Sequence, residues 1–253
     1  MKYQWLLAGL TTLFVGCGSC MKNDTTAPAP IAPAAAPAAA TSSTAPVAAP
    51  KVAGNCLIDN AEDNDNKTSM VAGRGGYWFT FADKAGSNIT PSGNFSMTPG
   101  GANGSAYAAR MFGKIGNGSP SFVGGGFNFL DPKSIYDASA YTGISFWAKV
   151  GPGSVSKVRF KVSDVETDPA GKICGQNGTD DGCYNDFGKV FDLTPEWKQY
   201  SIAFTDMKQG DGWGIPRPAA ILPAKLYGIV WEVNDKGASY DIWVDDIQFT
   251  GCN

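Results

Sequence analysis

The sequence predicts an all-β protein, a β-sandwich of jelly-roll type, on three observations. About ten short runs rich in Val, Ile, Phe, Tyr and Trp are spread along the chain, several with apolar and polar residues alternating. Gly, Asn, Ser, Asp and Pro clusters separate them, and 32 of the 253 residues are glycine, which is the turn chemistry of short strands. Beyond the N-terminal segment, no window keeps apolar residues at helical spacing for several turns.

Residues 1–16 form a targeting segment. Lys2 supplies a basic start, and Trp5–Val15 is apolar but too short for a stable membrane anchor. The segment ends in LFVGC, which resembles a bacterial lipobox. That resemblance implies that Cys17 is lipidated and becomes the mature N-terminus; ordinary secretory cleavage is the alternative. Gly18, where an Asp is absent, is similar to the sorting position of outer-membrane lipoproteins. The expected location is therefore the bacterial cell envelope, as an outer-membrane lipoprotein facing the outside or the periplasm. Residues 17–54 are rich in Ala, Pro and Thr and lack aromatic residues, so they cannot bury a core and read as a disordered tether.

Residues 55–253 make one domain. Strands are expected at Leu57–Asn60, Tyr77–Phe81, Tyr107–Phe112, Phe122–Leu130, Thr142–Val150, Val155–Val165, Phe187–Leu193, Trp197–Phe204, Leu226–Val233 and Tyr240–Phe249. Ala82–Gly104 reads as a long loop, and the glycines of FVGGGFNFL suggest a bulge or a close backbone approach. Trp147, Trp197 and Trp243 fall in strand patterns and are assigned to packing.

The net charge is −3, and no basic stripe stands out, so nucleic acid is not an expected partner. Membrane contact is expected only through the lipid anchor. Of the six cysteines, Cys56 and Cys252 bracket the domain, and Cys174 and Cys183 bracket the polar loop CGQNGTDDGC. Export permits disulfides within both pairs; free thiols are the alternative. Cys20 is left over.

The segments YDASAYTGISFWAKV, VRFKVSDVETDP, CYNDFGKVF, LTPEWKQYSIAFTDM, LYGIVWEV and YDIWVDDIQF resemble galactose-binding-like β-jelly rolls. More narrowly, they are similar to carbohydrate-binding modules of family 11, over almost all of Asn55–Cys252. The resemblance implies a polysaccharide ligand held on the concave sheet, and a structural Ca2+ between the first and last strands. The matching metal positions are Glu62 and Asp245 or Asp246, with Asp59 a neighbour able to join. Calcium takes six to eight oxygen ligands, and both chain ends bring carboxylates. A solvated acidic turn beside a salt-bridged strand acid is the plainer alternative.

Sugars are held by aromatic faces with planar polar groups alongside. By strand alternation, Arg159, Lys161 and Ser163 share one face, opposite Val158, Phe160 and Val162. The expected ligand residues are Arg110, Arg159, Asp164, Tyr184, Asp186, Trp213 and Trp231. For the two arginines a structural ion pair is an equal reading, and for Trp231 a core position is. The loop Asp164–Phe187, clamped by its cysteines, would pre-order Tyr184, Asn185 and Asp186 at a groove edge.

No catalytic site is expected. The chain has no histidine, which excludes Ser-His-Asp and Cys-His arrangements. Its glutamates, Glu62, Glu166, Glu196 and Glu232, are not paired by context for glycoside hydrolysis. The expected function is a surface-tethered, non-catalytic polysaccharide-binding module. The rivals are a structural or adhesive surface protein that binds a protein partner, and a glycoside hydrolase.

Overall fold

A computed structural model describes residues 56–175 and 179–252. The targeting segment, the lipidation position Cys17, the tether and residues 176–178 of the clamped loop lie outside the described residues.

The described strands are β1 (Leu57–Asp59), β2 (Trp78–Ala82), β3 (Asn88–Thr90), β4 (Thr98–Pro99), β5 (Tyr107–Lys114), β6 (Val123–Asn128), β7 (Gly143–Val150), β8 (Lys157–Asp164), β9 (Phe187–Asp192), β10 (Lys198–Ala203), β11 (Leu226–Val233) and β12 (Ser239–Thr250). They form two antiparallel sheets. The larger runs β10-β7-β12-β5-β3, with β1 on β12 and β4 on β5; the smaller runs β2-β6-β11-β8-β9. This is the expected jelly-roll sandwich. The stretch expected as a long loop, Ala82–Gly104, contains the short strands β3 and β4, which pair with β5.

Alternation decides which side chains meet between the sheets. Ile144, Phe146 and Ala148 of β7 face Val158, Phe160 and Val162 of β8, all essentially inaccessible. Trp231 of β11 sits in the middle of this core. It stacks on Trp78 at 5.9 Å and meets Phe146 and Phe160 edge-on at 5.5 Å each. Fully buried, it is a core residue rather than a ligand residue, because its β11 neighbours Ile229 and Val233 take the same face.

Filling the core from one face of β7 turns Trp147 outward. The three tryptophans expected in packing, Trp147, Trp197 and Trp243, lie half-buried on the outer face of the larger sheet. Lys149 Nζ lies over the rings of Trp197 and Trp243, at 4.9 and 4.7 Å, and the Arg110 guanidinium covers Trp243 at 4.6 Å. Cation–π attraction and the apolar stems of Lys and Arg shield these rings from water.

β6 contains no bulge: its register against β11 is continuous from Gly228↔Asn128 to Val233↔Val123. The glycines answer to close approach instead. A Cβ on Gly126 would lie 1.9 Å from the Ile229 carbonyl oxygen, so β6 approaches β11 there only as glycine. A bulge lies in β12, where the register against β7 shifts between Asp245 and Gln248 and Asp246 takes a left-handed φ of 47°. Both expected disulfides are formed. Cys56–Cys252 joins β1 to the end of β12 with Cα atoms 6.0 Å apart, and Cys174–Cys183 clamps the loop before β9 with Cα atoms 5.1 Å apart.

Candidate functional site

The outer face of the smaller sheet is a groove of about 730 Å³. One part is aromatic. Trp78 of β2 turns into the core, so the strand's alternation sends Phe79 and Phe81 out to the groove, where Phe122 joins them. The rest is polar. β8 contributes Lys161 and Ser163, β6 contributes Asn128, and β11 contributes Glu232. Tyr184 and Trp213 reach the rim from two loops; they are 48% and 51% exposed, high for rings of this size.

A buried charge cluster occupies the polar part. Lys161 Nζ donates to Glu232 Oε2 at 2.7 Å and to the Tyr184 carbonyl at 3.3 Å, and lies 3.9 Å from Asp186 Oδ2. Only one oxygen of Asp186 has company: Oδ1 is buried and finds no hydrogen-bond partner among the described residues. Burial, with Asp168 and Glu232 nearby, pushes the Asp186 carboxyl up to about 6, although Lys161 and Thr167 pull it down. Lys133 Nζ pairs with Asp168 Oδ2 at 2.5 Å on the flank.

The structure thus brings Tyr184, Asp186 and Trp213 of the expected ligand residues to the groove, sets Arg159 behind them in backbone contacts, and places Arg110, Asp164 and Trp231 elsewhere. Arg159 shares the Lys161 face as expected, but its guanidinium donates to the carbonyls of Asp186 and Lys208, at 3.2 and 3.1 Å. It ties the residue before β9 to the loop after β10, and burial holds its pKa below the usual value. Asp164 is fully buried and holds loop backbone: its oxygens accept from the amides of Glu166, Thr167 and Leu222. Arg110 lies on the opposite sheet, in a two-point pair with Asp241 at 2.8 Å for both contacts. Trp231 is in the core.

Several groove residues were not among those expected. Lys161 lies on the face shared with Arg159 and Ser163, but alternation by itself does not single it out from its neighbours. Phe79 and Phe81 stand in YWFTF, where both strand faces are bulky and alternation alone does not tell core from groove.

The expected metal residues also divide. Asp59 is fully buried and turns inward, where Oδ2 accepts from Trp78 Nε1 at 2.6 Å and Oδ1 from the Ala61 amide at 3.2 Å. Burial pushes its carboxyl up to about 7. Glu62, Asp245 and Asp246 form a separate group. The bulge cancels the alternation that would send the two aspartates to opposite faces, and burial, with the charge of Glu62 adding to it, raises the pKa of both. Asp245, fully inaccessible, is pushed up to about 8, chiefly by burial. Its Oδ2 accepts from the Ala102 amide and its Oδ1 from the Asp246 amide, each at 2.7 Å. Glu62 Oε1 accepts from the Tyr107 amide at 3.0 Å. Among the described residues, no three or more acidic, imidazole or thiolate side chains are placed together closely enough to hold a metal ion. Among the described residues no lysine or arginine forms an ion pair with any of these three carboxylates, and carboxylate oxygens are the donors a hard cation takes.

No family model matches the chain, and no curated protein matches it. Among solved structures, the chain is similar to the family 11 carbohydrate-binding module of a cellulosomal cellulase of Clostridium thermocellum. That match has 16% identity over 79% of this chain and 96% of that one, with a TM-score of 0.53. It is also similar to a family 11 module from the same organism in complex with a β-1,3-1,4-mixed-linked tetrasaccharide, at 17% identity over 69% of this chain and 89% of that one, with a TM-score of 0.50. At these identities the likeness establishes the jelly-roll fold.

Proposed function

We propose that the domain binds a linear glycan in the groove of the smaller sheet and does no chemistry on it. The observation that carries this reading is the make-up of the groove. Exposed aromatic faces at Tyr184 and Trp213, and groove-facing rings at Phe79 and Phe81, flank a polar centre in which Asp186 Oδ1 is an acceptor lacking a donor. Rings suit the C–H faces of a sugar, and a carboxylate held next to an ammonium suits its hydroxyls. The likeness to modules named as carbohydrate-binding supports the same reading. Asp186 and Glu232, the groove's central carboxylates, share Lys161 between them.

In the same proposal, Glu62, Asp245 and Asp246 hold a structural calcium ion that neutralises their mutual repulsion and fastens β12 to the chain after β1. The ion would supply charge to the scaffold, away from the groove. Lipidation at Cys17 and the tether of residues 17–54 would present the domain at the cell envelope.

Affinity electrophoresis of the purified protein through gels containing soluble polysaccharides, together with a glycan array, tests the binding. Retardation that is lost in Trp213→Ala is expected. Absence of binding to every glycan would leave a protein partner as the better reading, and release of reducing sugar would establish a hydrolase.

A further inference from the structure

We infer that Asn185 is the positioning residue of the groove: it locks the two loops that carry Tyr184 and Trp213 into one preassembled rim. The inference rests on the groove being the ligand site and extends it to how the aromatic contacts are set.

Asn185 is 1% exposed, and both its side-chain amide and its carbonyl meet the neighbouring loop. Its Nδ2 donates to the carbonyls of Gly210 and Trp213, at 2.9 and 2.5 Å. Its Oδ1 accepts from the Gly210 amide at 2.8 Å, and its own carbonyl accepts from Gln209 Nε2 at 2.8 Å. One buried side-chain amide thus adds three hydrogen bonds to the backbone bond these irregular segments make directly, from the Ile215 amide to the Gly182 carbonyl at 3.0 Å.

The sequence on both sides fits this joint. Gly214 has a φ of +92°, and a Cβ there would lie 2.7 Å from the Asn185 side chain, so the residue after Trp213 must be glycine for the loops to close. Tyr184 has a φ of 67°, which a tyrosine rarely adopts. It is held by its amide to the Thr167 carbonyl at 2.8 Å and by the adjacent Cys174–Cys183 disulfide. Tyr184 therefore leaves from a backbone that would not keep its conformation alone, and Trp213 from a turn that Gly212 and Gly214 permit at φ of 79° and 92°. Asn185 lies between them in the contact network and is shielded from the groove, so it acts through the rings and not on the ligand.

The test separates positioning from packing. Asn185→Asp keeps the size and the acceptor but removes the donation to Trp213 and Gly210. The readouts are acrylamide quenching of Trp213 fluorescence, taken as the difference between each protein and its Trp213→Phe partner, and affinity for a soluble β-1,3-1,4-mixed-linked glucan. Expected are a rise in Trp213 quenching in Asn185→Asp and Asn185→Ala, and at least a tenfold loss of affinity at an unchanged fold by circular dichroism. If Asn185→Ala does not fold, Gly214→Ala displaces the same joint from the other side. Trp213 quenching equal to wild type in the folded variants overturns the inference. A wild-type protein that ignores the glucan and every other glycan removes the binding reading, while the quenching in the free protein still decides whether Asn185 orders the rim.

Discussion

Lys161 of β8 and Glu232 of β11 meet across adjacent strands, Nζ to Oε2 at 2.7 Å, with side chains only 6% and 17% exposed. Their strands are paired with Lys161 opposite Val230 and Glu232 opposite Arg159, so the contact is diagonal. It places a buried ammonium against the base of the groove and gives Asp186 its partial counter-charge.

Removing one member of such a pair leaves an uncompensated buried charge. Lys161→Met is expected to destabilise the domain by about 3–5 kcal/mol. Adding Glu232→Gln is expected to restore part of that loss. Urea unfolding of the single and double variants checks both; a single variant as stable as wild type would mean that the cluster is solvated.

Asp186 predicts a pH dependence of binding. Its pKa is raised from 3.8 to about 6 in the folded protein, mainly by burial. A ligand hydroxyl donating to Oδ1 favours the ionised form. Affinity should therefore be lowest with Asp186 protonated, climb as pH rises through 6, and level off above it. In unfolding the sign is opposite: the raised pKa stabilises at low pH, and this contribution disappears as pH rises from about 4 to about 6. Calorimetric titration across pH 4.5–7.5 should show the rise in wild type and a flat profile in Asp186→Asn, on the order of a few-fold in affinity.

Trp213 and Trp231 should separate binding from stability. Trp231→Ala opens a cavity among Trp78, Phe146 and Phe160 and is expected to cost about 3–5 kcal/mol. Trp213→Ala removes a half-exposed ring, should change stability by less than about 0.5 kcal/mol, and should abolish gel retardation. Equal behaviour of the two in either assay would contradict the placement of these rings.

The calcium proposal predicts that EDTA lowers the melting temperature and that added Ca2+ restores it. Saturation at 1,000 times the dissociation constant corresponds to about 4 kcal/mol. Asp246→Asn or Glu62→Gln should abolish the response, and Asp59→Asn, on the core side, should leave it in place. A melting temperature indifferent to EDTA in wild type counts against the ion.

What the sequence determined by itself is the set of properties that neighbouring residues can impose on one another. Alternation marks Ile144, Phe146 and Ala148 as one face of a strand, the cysteines bracket what they join, and a tyrosine and a tryptophan in Gly-rich polar loops stand out as exposed rings. The sandwich and three groove residues, Tyr184, Asp186 and Trp213, follow from those signals. Only the tertiary structure decided which of two bulky faces is core. Trp231 and Trp243 stand in near-identical strand contexts; the first lies between the sheets and the second on the outer surface under Lys149 and Arg110. The bulge at Asp246 was likewise hidden, because a left-handed residue within a β-forming run is selected by the strands it pairs with. Strand period is a property of a few residues, whereas the side of the sheet, the partner of a charge and the joint made by Asn185 depend on segments far apart in the chain, and only folding brings those into contact.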